Sequence, residues 1–193
     1  MDKHLKNQLS RYIKQVERKT FSAGEILKKE EVAVIYAYTE DMYEPLNERL
    51  RRNLGQLDTE FGKELDRILA KLPNFEGIIF RGTSLTRRCL TVYEEAFKNY
   101  TPITEHAFLS TSRVESTAKM YMRTSTEDYR VLFIILCKQG KNIEQYSKYG
   151  TLSGQDEREI LFRANSQFEI VDIDKSNTSI VITLNEIIKN GTA

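Results

Sequence analysis

A chain of 193 residues, 40% hydrophobic and 30% charged, is long enough for one globular domain with a real core and a well-solvated surface. Its formal net charge of +1 argues against a protein held to nucleic acid mainly by phosphate contacts, and no stretch is apolar for long enough to span a membrane. Cys89 and Cys137, without a CxxC pair or a histidine cluster, argue against a metal site and are expected as small buried hydrophobes in a reducing compartment.

The N-terminus, MDKHLKNQLSRYIKQVERK, is charged throughout and lacks the apolar region of a signal peptide. The chain is therefore expected to be cytoplasmic where it is made, or exported by a dedicated system. Leu5, Leu9, Tyr12, Ile13 and Val16 recur at helical spacing and predict an amphipathic helix over the first twenty residues, for packing or for contact with a partner. After Ser22-Ala23-Gly24, a buried helix is predicted over Glu25 to Thr39. Pro45 suits a first helical turn ahead of Leu46, Leu50 and Leu54. A further helix carries Phe61, Leu65, Ile68, Leu69 and Leu72 and must stop before Pro73.

Past a turn at Asn74-Phe75-Glu76-Gly77 the period changes. Ile78 to Arg81 reads as a short strand, Thr91 to Lys98 as a helix and Ala107 to Thr111 as a strand. Ser112 with Glu115 is a capping-box pattern opening a helix through Met122. Val131 to Cys137, the longest apolar run, predicts a central strand covered on both faces. Phe168 to Val171 and Ser179 to Thr183 are further strands, the latter at an edge. The fold class is α+β: one domain over 1–193, with a helical part over 1–73 and a β-rich core over 74–185.

Three segments carry candidate chemistry. In Tyr146 to Phe162, YSKYGTLSGQDEREILF, Glu157 and Glu159 follow a polar loop at the mouth of the apolar run Ile160-Leu161-Phe162. If the strand includes both, a period of two aims them at one side of the sheet, where like charges raise at least one pKa and can divide acid, base and orienting roles. A charged loop edge is the plain alternative. Arg81 followed by Gly82 suits a phosphate, through the guanidinium fork and close approach to the backbone, although strand-end arginines are commonly solvated. Ser110-Thr111-Ser112 places three hydroxyls where a strand becomes a helix; capping accounts for Ser112 but not for Ser110 or Thr111.

In this order, Phe80-Arg81-Gly82, Ser110-Thr111-Ser112 and Glu157-Arg158-Glu159 resemble the mono-ADP-ribosyltransferase family of the arginine-modifying type, over Tyr36 to about Val171. The resemblance implies the ADP-ribosyltransferase fold, with a helical N-terminal part packed on a β core of two sheets. It also implies NAD as substrate, no metal, and no nucleic-acid partner. Arg81 and Gly82 would meet the NAD diphosphate, and Ser110, Thr111 and Ser112 would line the nucleotide site, Ser110 orienting the catalytic Glu159. Tyr38 and Asn47 would belong to a helical segment closing over the nucleotide, and Tyr149 to the exposed aromatic position of the loop; Tyr149 or Tyr38 would stack on nicotinamide. Where the family often carries a Pro-Gly turn, Arg163-Ala164-Asn165-Ser166 stands here.

The implied reaction is cleavage of the nicotinamide–ribose bond and transfer of ADP-ribose to an accessible arginine of a target protein. Glu157 favours arginine, because the family's asparagine modifiers carry glutamine there. An NAD glycohydrolase that depletes NAD and an inactive NAD-binding module are the alternatives. The expected role is that of a toxin or secreted effector. His4 and His106 fall outside all three segments and are given no catalytic part.

Overall fold

The computed structural model describes residues 1–18, 26–124, 126–151 and 156–188. Glu25, Ser22 to Gly24 and the 152–155 part of the glycine-containing loop lie outside them.

The N-terminal amphipathic pattern forms two helices rather than one, α1 (Lys3–Gln8) and α2 (Ser10–Glu17), because the backbone breaks helical geometry at Leu9. Leu5, Leu9, Tyr12 and Val16 are all buried in the core, so this apolar face is packing and is not presented to a partner. Helix α3 (Lys29–Ala37) is buried on nearly every side and runs through a π-helical turn, Tyr38–Met42, into α4 (Tyr43–Arg52). Leu46 and Leu50 face inward as their spacing requires, whereas Leu54 lies beyond the helix end at φ 56° and is 71% exposed. Helix α5 (Glu60–Leu69) is capped by Thr59, whose hydroxyl accepts from Gly62 N. Buried Glu31 of α3 receives Arg67 at 2.8 Å and Lys71, joining α3 to the end of α5.

The strands are β1 (Asn74–Leu85), β2 (Ile103–Glu105), β3 (Leu109–Ser112), β4 (Tyr129–Asn142), β5 (Glu159–Phe162), β6 (Ser166–Asp174) and β7 (Ile180–Ile187). Helix α6 (Arg87–Asn99) follows β1, and α7 (Glu115–Thr124) follows β3. Among the described residues the strand order is β1-β3-β5-β4-β7-β6-β2, with β1 also paired to β4. The expected two sheets are thus joined in one hydrogen-bonded set. The cause is the length of β4, which pairs with β1 along most of its course, with β7 over Val131 to Leu136 and with β5 through Lys141 and Asn142.

Other strand expectations need correction as well. The supposed turn at residues 74–77 is the bulged start of β1, where the register shifts between Phe75 and Gly77. Strand β7 is not an edge: it lies between β4, to which it is parallel, and β6. Cys89 is exposed and only Cys137 is buried. No helix among the described residues is long and apolar enough to cross a membrane.

The helical part packs directly beneath the short strands. Its core residues form one cluster with Ala107, Phe108, Ile143, Tyr146 and Leu161, while a second cluster fills the space between the β sheet and α6. Ends of β3 and β5 therefore stand where the two cores meet.

Candidate active site

Glu159 opens β5, opposite Ser112 of β3, and is 5% exposed. Two hydroxyls hold its carboxylate: Ser110 Oγ donates to Oε1 at 2.7 Å, and Ser147 Oγ donates to Oε2 at 3.2 Å. Ser110 reaches it because Ser110 is diagonal to Glu159 across the antiparallel pair, two residues along from the directly opposed Ser112. Burial pushes the Glu159 carboxyl up to about 7; the Ser110 bond opposes this, the Glu157 charge adds to it, and the Ser147 bond and Arg81 oppose it further. A carboxyl so placed changes charge near neutral pH.

Glu157 is not on the strand, so the alternation argument fails for the pair. Arg158 intervenes in a left-handed conformation at φ 47°, and β5 begins only at Glu159. The Glu157 main chain is instead fixed at both ends: its carbonyl accepts from Ser112 Oγ at 2.6 Å, and its N–H donates to Tyr149 O at 3.0 Å. The side chain is half-buried and accepts a hydrogen bond from the Tyr121 hydroxyl. Burial raises its pKa, and the Tyr121 bond lowers it.

Of Ser110, Thr111 and Ser112, only Ser110 points its hydroxyl at a carboxylate. Thr111 Oγ1 donates to Ile160 O at 2.6 Å, and both Thr111 and Ser112 are buried. Their hydroxyls clasp the segment that carries Glu157 and Glu159, in place of the expected contact with nucleotide. Ser112 accepts from Val114 N at 2.9 Å, but the helix begins at Glu115, so the capping box does not form.

Arg81 lies inside β1, not at its end, and its Nη1 donates to Ser110 O at 2.7 Å. It is half-buried, makes no ion pair among the described residues, and has its pKa lowered chiefly by desolvation. Gly82 has a different reason from the one expected. A Cβ there would stand 1.7 Å from Ala118 O, so the glycine exists to let α7 lie on β1 and its open side is occupied by helix.

Two expected nucleotide contacts lie underneath the site. Tyr38 is 2% exposed, its hydroxyl accepts from Asn47 Nδ2 at 3.0 Å, and its ring meets Phe108 edge-on, so it cannot stack on a ligand. Asn47 is also buried, and its Oδ1 accepts from Phe108 N at 3.2 Å. The pair couples α4 to the start of β3. Tyr149 is half-buried rather than exposed, close to Tyr36, Tyr121 and Lys148. His106 Nδ1 is 3.1 Å from Asn165 Oδ1, a structural contact in the turn before β6.

Four residues that sequence reasoning passed over stand here. Ser147 and Lys148 were within the quoted loop but unassigned, and Tyr121 gave no sequence signal. Arg51 could have been found, since it follows Asn47 by four residues and so shares its helix face. It pairs with Glu105 at 3.4 Å and is near enough to Arg81 to depress its pKa. No cluster of His, Cys, Asp or Glu able to hold a metal occurs among the described residues.

A family model described as NAD:arginine ADP-ribosyltransferase matches residues 2–192. This chain belongs to that family. NAD is the substrate of the NAD:arginine ADP-ribosyltransferases, and the chain resembles individual members in sequence and fold. Mav of Mycobacterium avium (strain 104), which carries the name of an NAD(+)--arginine ADP-ribosyltransferase, is 33% identical over 148 residues, 75% of this chain and 16% of Mav. Vis of Vibrio splendidus (strain 12B01), similarly named, is 30% identical over 122 residues, 59% of this chain and 44% of Vis. The chain matches less than half the length of either relative. HopU1 of Pseudomonas syringae pv. Tomato DC3000, an ADP-ribosyltransferase, has a TM-score of 0.72 at 22% identity, covering 96% of this chain and 83% of that one. Vis, a toxin whose structure is also known with agmatine, has a TM-score of 0.67 at 22% identity over 100% and 89%. This chain shares the ADP-ribosyltransferase fold with HopU1 and Vis.

Proposed function

We propose that this chain cleaves NAD between nicotinamide and ribose and transfers ADP-ribose to an arginine of a target protein. The supporting observation is Glu159: a buried carboxyl held by two hydroxyls, with Arg81 beside it. Breaking the glycosidic bond sends its electron pair to nicotinamide and leaves oxocarbenium character on the ribose, which an adjacent carboxylate stabilises. The cationic pyridinium of bound NAD favours the ionised form of a carboxyl that titrates near 7. Arg81, whose fork is only partly used by Ser110 O, and the half-exposed Arg51 face the diphosphate.

Glu157 stands on the acceptor side. A guanidinium is protonated at neutral pH and becomes a nucleophile only as it loses a proton, and a carboxylate with a raised pKa is a suitable recipient. Tyr149 flanks nicotinamide or the acceptor. Water can replace the acceptor, so NAD hydrolysis accompanies transfer. Delivery into a target cell as a toxin or effector is the biological role that fits this chemistry.

The test is release of labelled nicotinamide from NAD, with and without agmatine, by wild type, Glu159→Ala and Glu157→Ala. Glu159→Ala is expected to stop all cleavage, and Glu157→Ala to lose transfer to agmatine while still hydrolysing NAD. Undiminished cleavage by Glu159→Ala would overturn the assignment.

A further inference from the structure

We propose that Tyr121, on the helix after the Ser-Thr-Ser strand, is a positioning residue for the acceptor: its hydroxyl holds Glu157 in the orientation that receives the guanidinium. This rests on Glu157 being the acceptor-side carboxylate. The main chain of Glu157 is already fixed by Ser112 and Tyr149, so the carboxylate's direction is the remaining freedom. Tyr121 removes it by donating to Oε1, which leaves Oε2 without a partner among the described residues. One oxygen held and one offered is the arrangement a single incoming N–H needs.

Tyr121 is itself placed by backbone contact rather than by chance exposure. Ala118 and Met122, one turn before it and next to it on α7, are the residues that lie against Gly82 of β1. The close approach that glycine permits sets the distance from α7 to the Glu157 loop. Tyr121 remains 43% exposed, so an acceptor side chain can reach the same spot. Burial and the Glu157 charge both keep its phenol protonated, and therefore a donor, throughout the working pH range. Other charges near Glu157 are Glu159 on β5 and the flanking Asp156 and Arg158, which face each other at 3.8 Å.

The experiment compares wild type, Tyr121→Phe, Glu157→Gln and the double variant, measuring NAD hydrolysis without acceptor and transfer to agmatine across pH. Tyr121→Phe keeps the ring and loses only the hydroxyl. It is expected to leave hydrolysis unchanged and to raise the KM for agmatine roughly five- to tenfold. The acid limb of transfer should also move to higher pH, because the bond that lowers the Glu157 pKa is gone. Glu157→Gln is itself expected to lose most of the transfer, and the residual transfer of the double variant should match that of Glu157→Gln within about twofold. Unaltered agmatine kinetics in Tyr121→Phe would overturn the inference, as would an equal fall in hydrolysis and transfer. A wild type that cleaves NAD but never labels agmatine would instead remove the acceptor reading itself, and this inference with it.

Discussion

Arg81 and Ser110 are joined side chain to main chain: the guanidinium donates to the Ser110 carbonyl at 2.7 Å while the hydroxyl of the same serine donates to Glu159 at 2.7 Å. One residue thus links the half-buried guanidinium to the buried carboxylate. On the proposed function, a diphosphate held at Arg81 would be coupled through β3 to the carboxylate that acts on the ribose.

Arg81→Lys tests that coupling. Lysine keeps the charge but has no planar fork with which to hold a carbonyl and an anion at once. Losing one charge-assisted hydrogen bond costs about 1.5–3 kcal/mol, so kcat/KM for NAD is expected to fall by roughly 10- to 100-fold. Because Ser110 loses its support, kcat should fall along with the rise in KM. A change confined to KM would show that the arginine only binds.

Glu159→Gln should make the protein more stable, and more so at high pH. The folded carboxyl titrates near 7, against an unfolded value of about 4.3. A raised carboxyl pKa favours the folded state at low pH, and that advantage is lost as pH rises from about 4 through 7. Above that window the buried ion costs the fold on the order of 4 kcal/mol, which the amide does not. Thermal unfolding should therefore show a gain of several degrees at pH 8 and a much smaller one at pH 5. An equal gain at both would mean that the carboxylate is not the source of the strain on stability.

Much of this arrangement was legible in the sequence, and the parts that were not share a cause. Helical periodicity located the apolar residues of α4 and α5, and the apolar run of β4 and the opening of β5 followed from composition. The Arg81, Ser110 and Glu159 constellation was visible as types and order alone. What the sequence could not show was the direction of each hydroxyl: Ser110 points to Glu159, yet Thr111 and Ser112 point to main-chain carbonyls of the β5 segment. Pairing register decides this, and register is a tertiary property. Gly82 misled in the same way, because the helix that fills the space above it arrives from 36 residues further on, at Ala118. Tyr38 and Asn47 carry polar groups that could equally meet a ligand or each other. Only burial distinguished the two.

The loop that brings Ser147 to Glu159 is held from the helical side by Lys148. Its N–H donates to Thr39 Oγ1 at 2.9 Å, its ammonium pairs with Glu40, and it lies 5.8 Å from the centre of the Tyr36 ring. Lys148→Met keeps the main-chain contact and much of the aliphatic stem but strands Glu40, whose Oε2 is already buried without a hydrogen bond among the described residues. An unsatisfied buried acceptor costs about 1–3 kcal/mol, so stability to urea should fall by that order. Amide exchange across residues 143–151 should quicken, and nicotinamide release should drop as the Ser147 hold on Glu159 loosens. Adding Glu40→Gln to Lys148→Met removes the stranded charge and is expected to restore stability without restoring the slow exchange. If exchange in this segment stays at the wild-type rate in both variants, the loop is held by Ser147 and by the Lys148 main-chain contact with Thr39, and the Lys148 ion pair adds nothing to it.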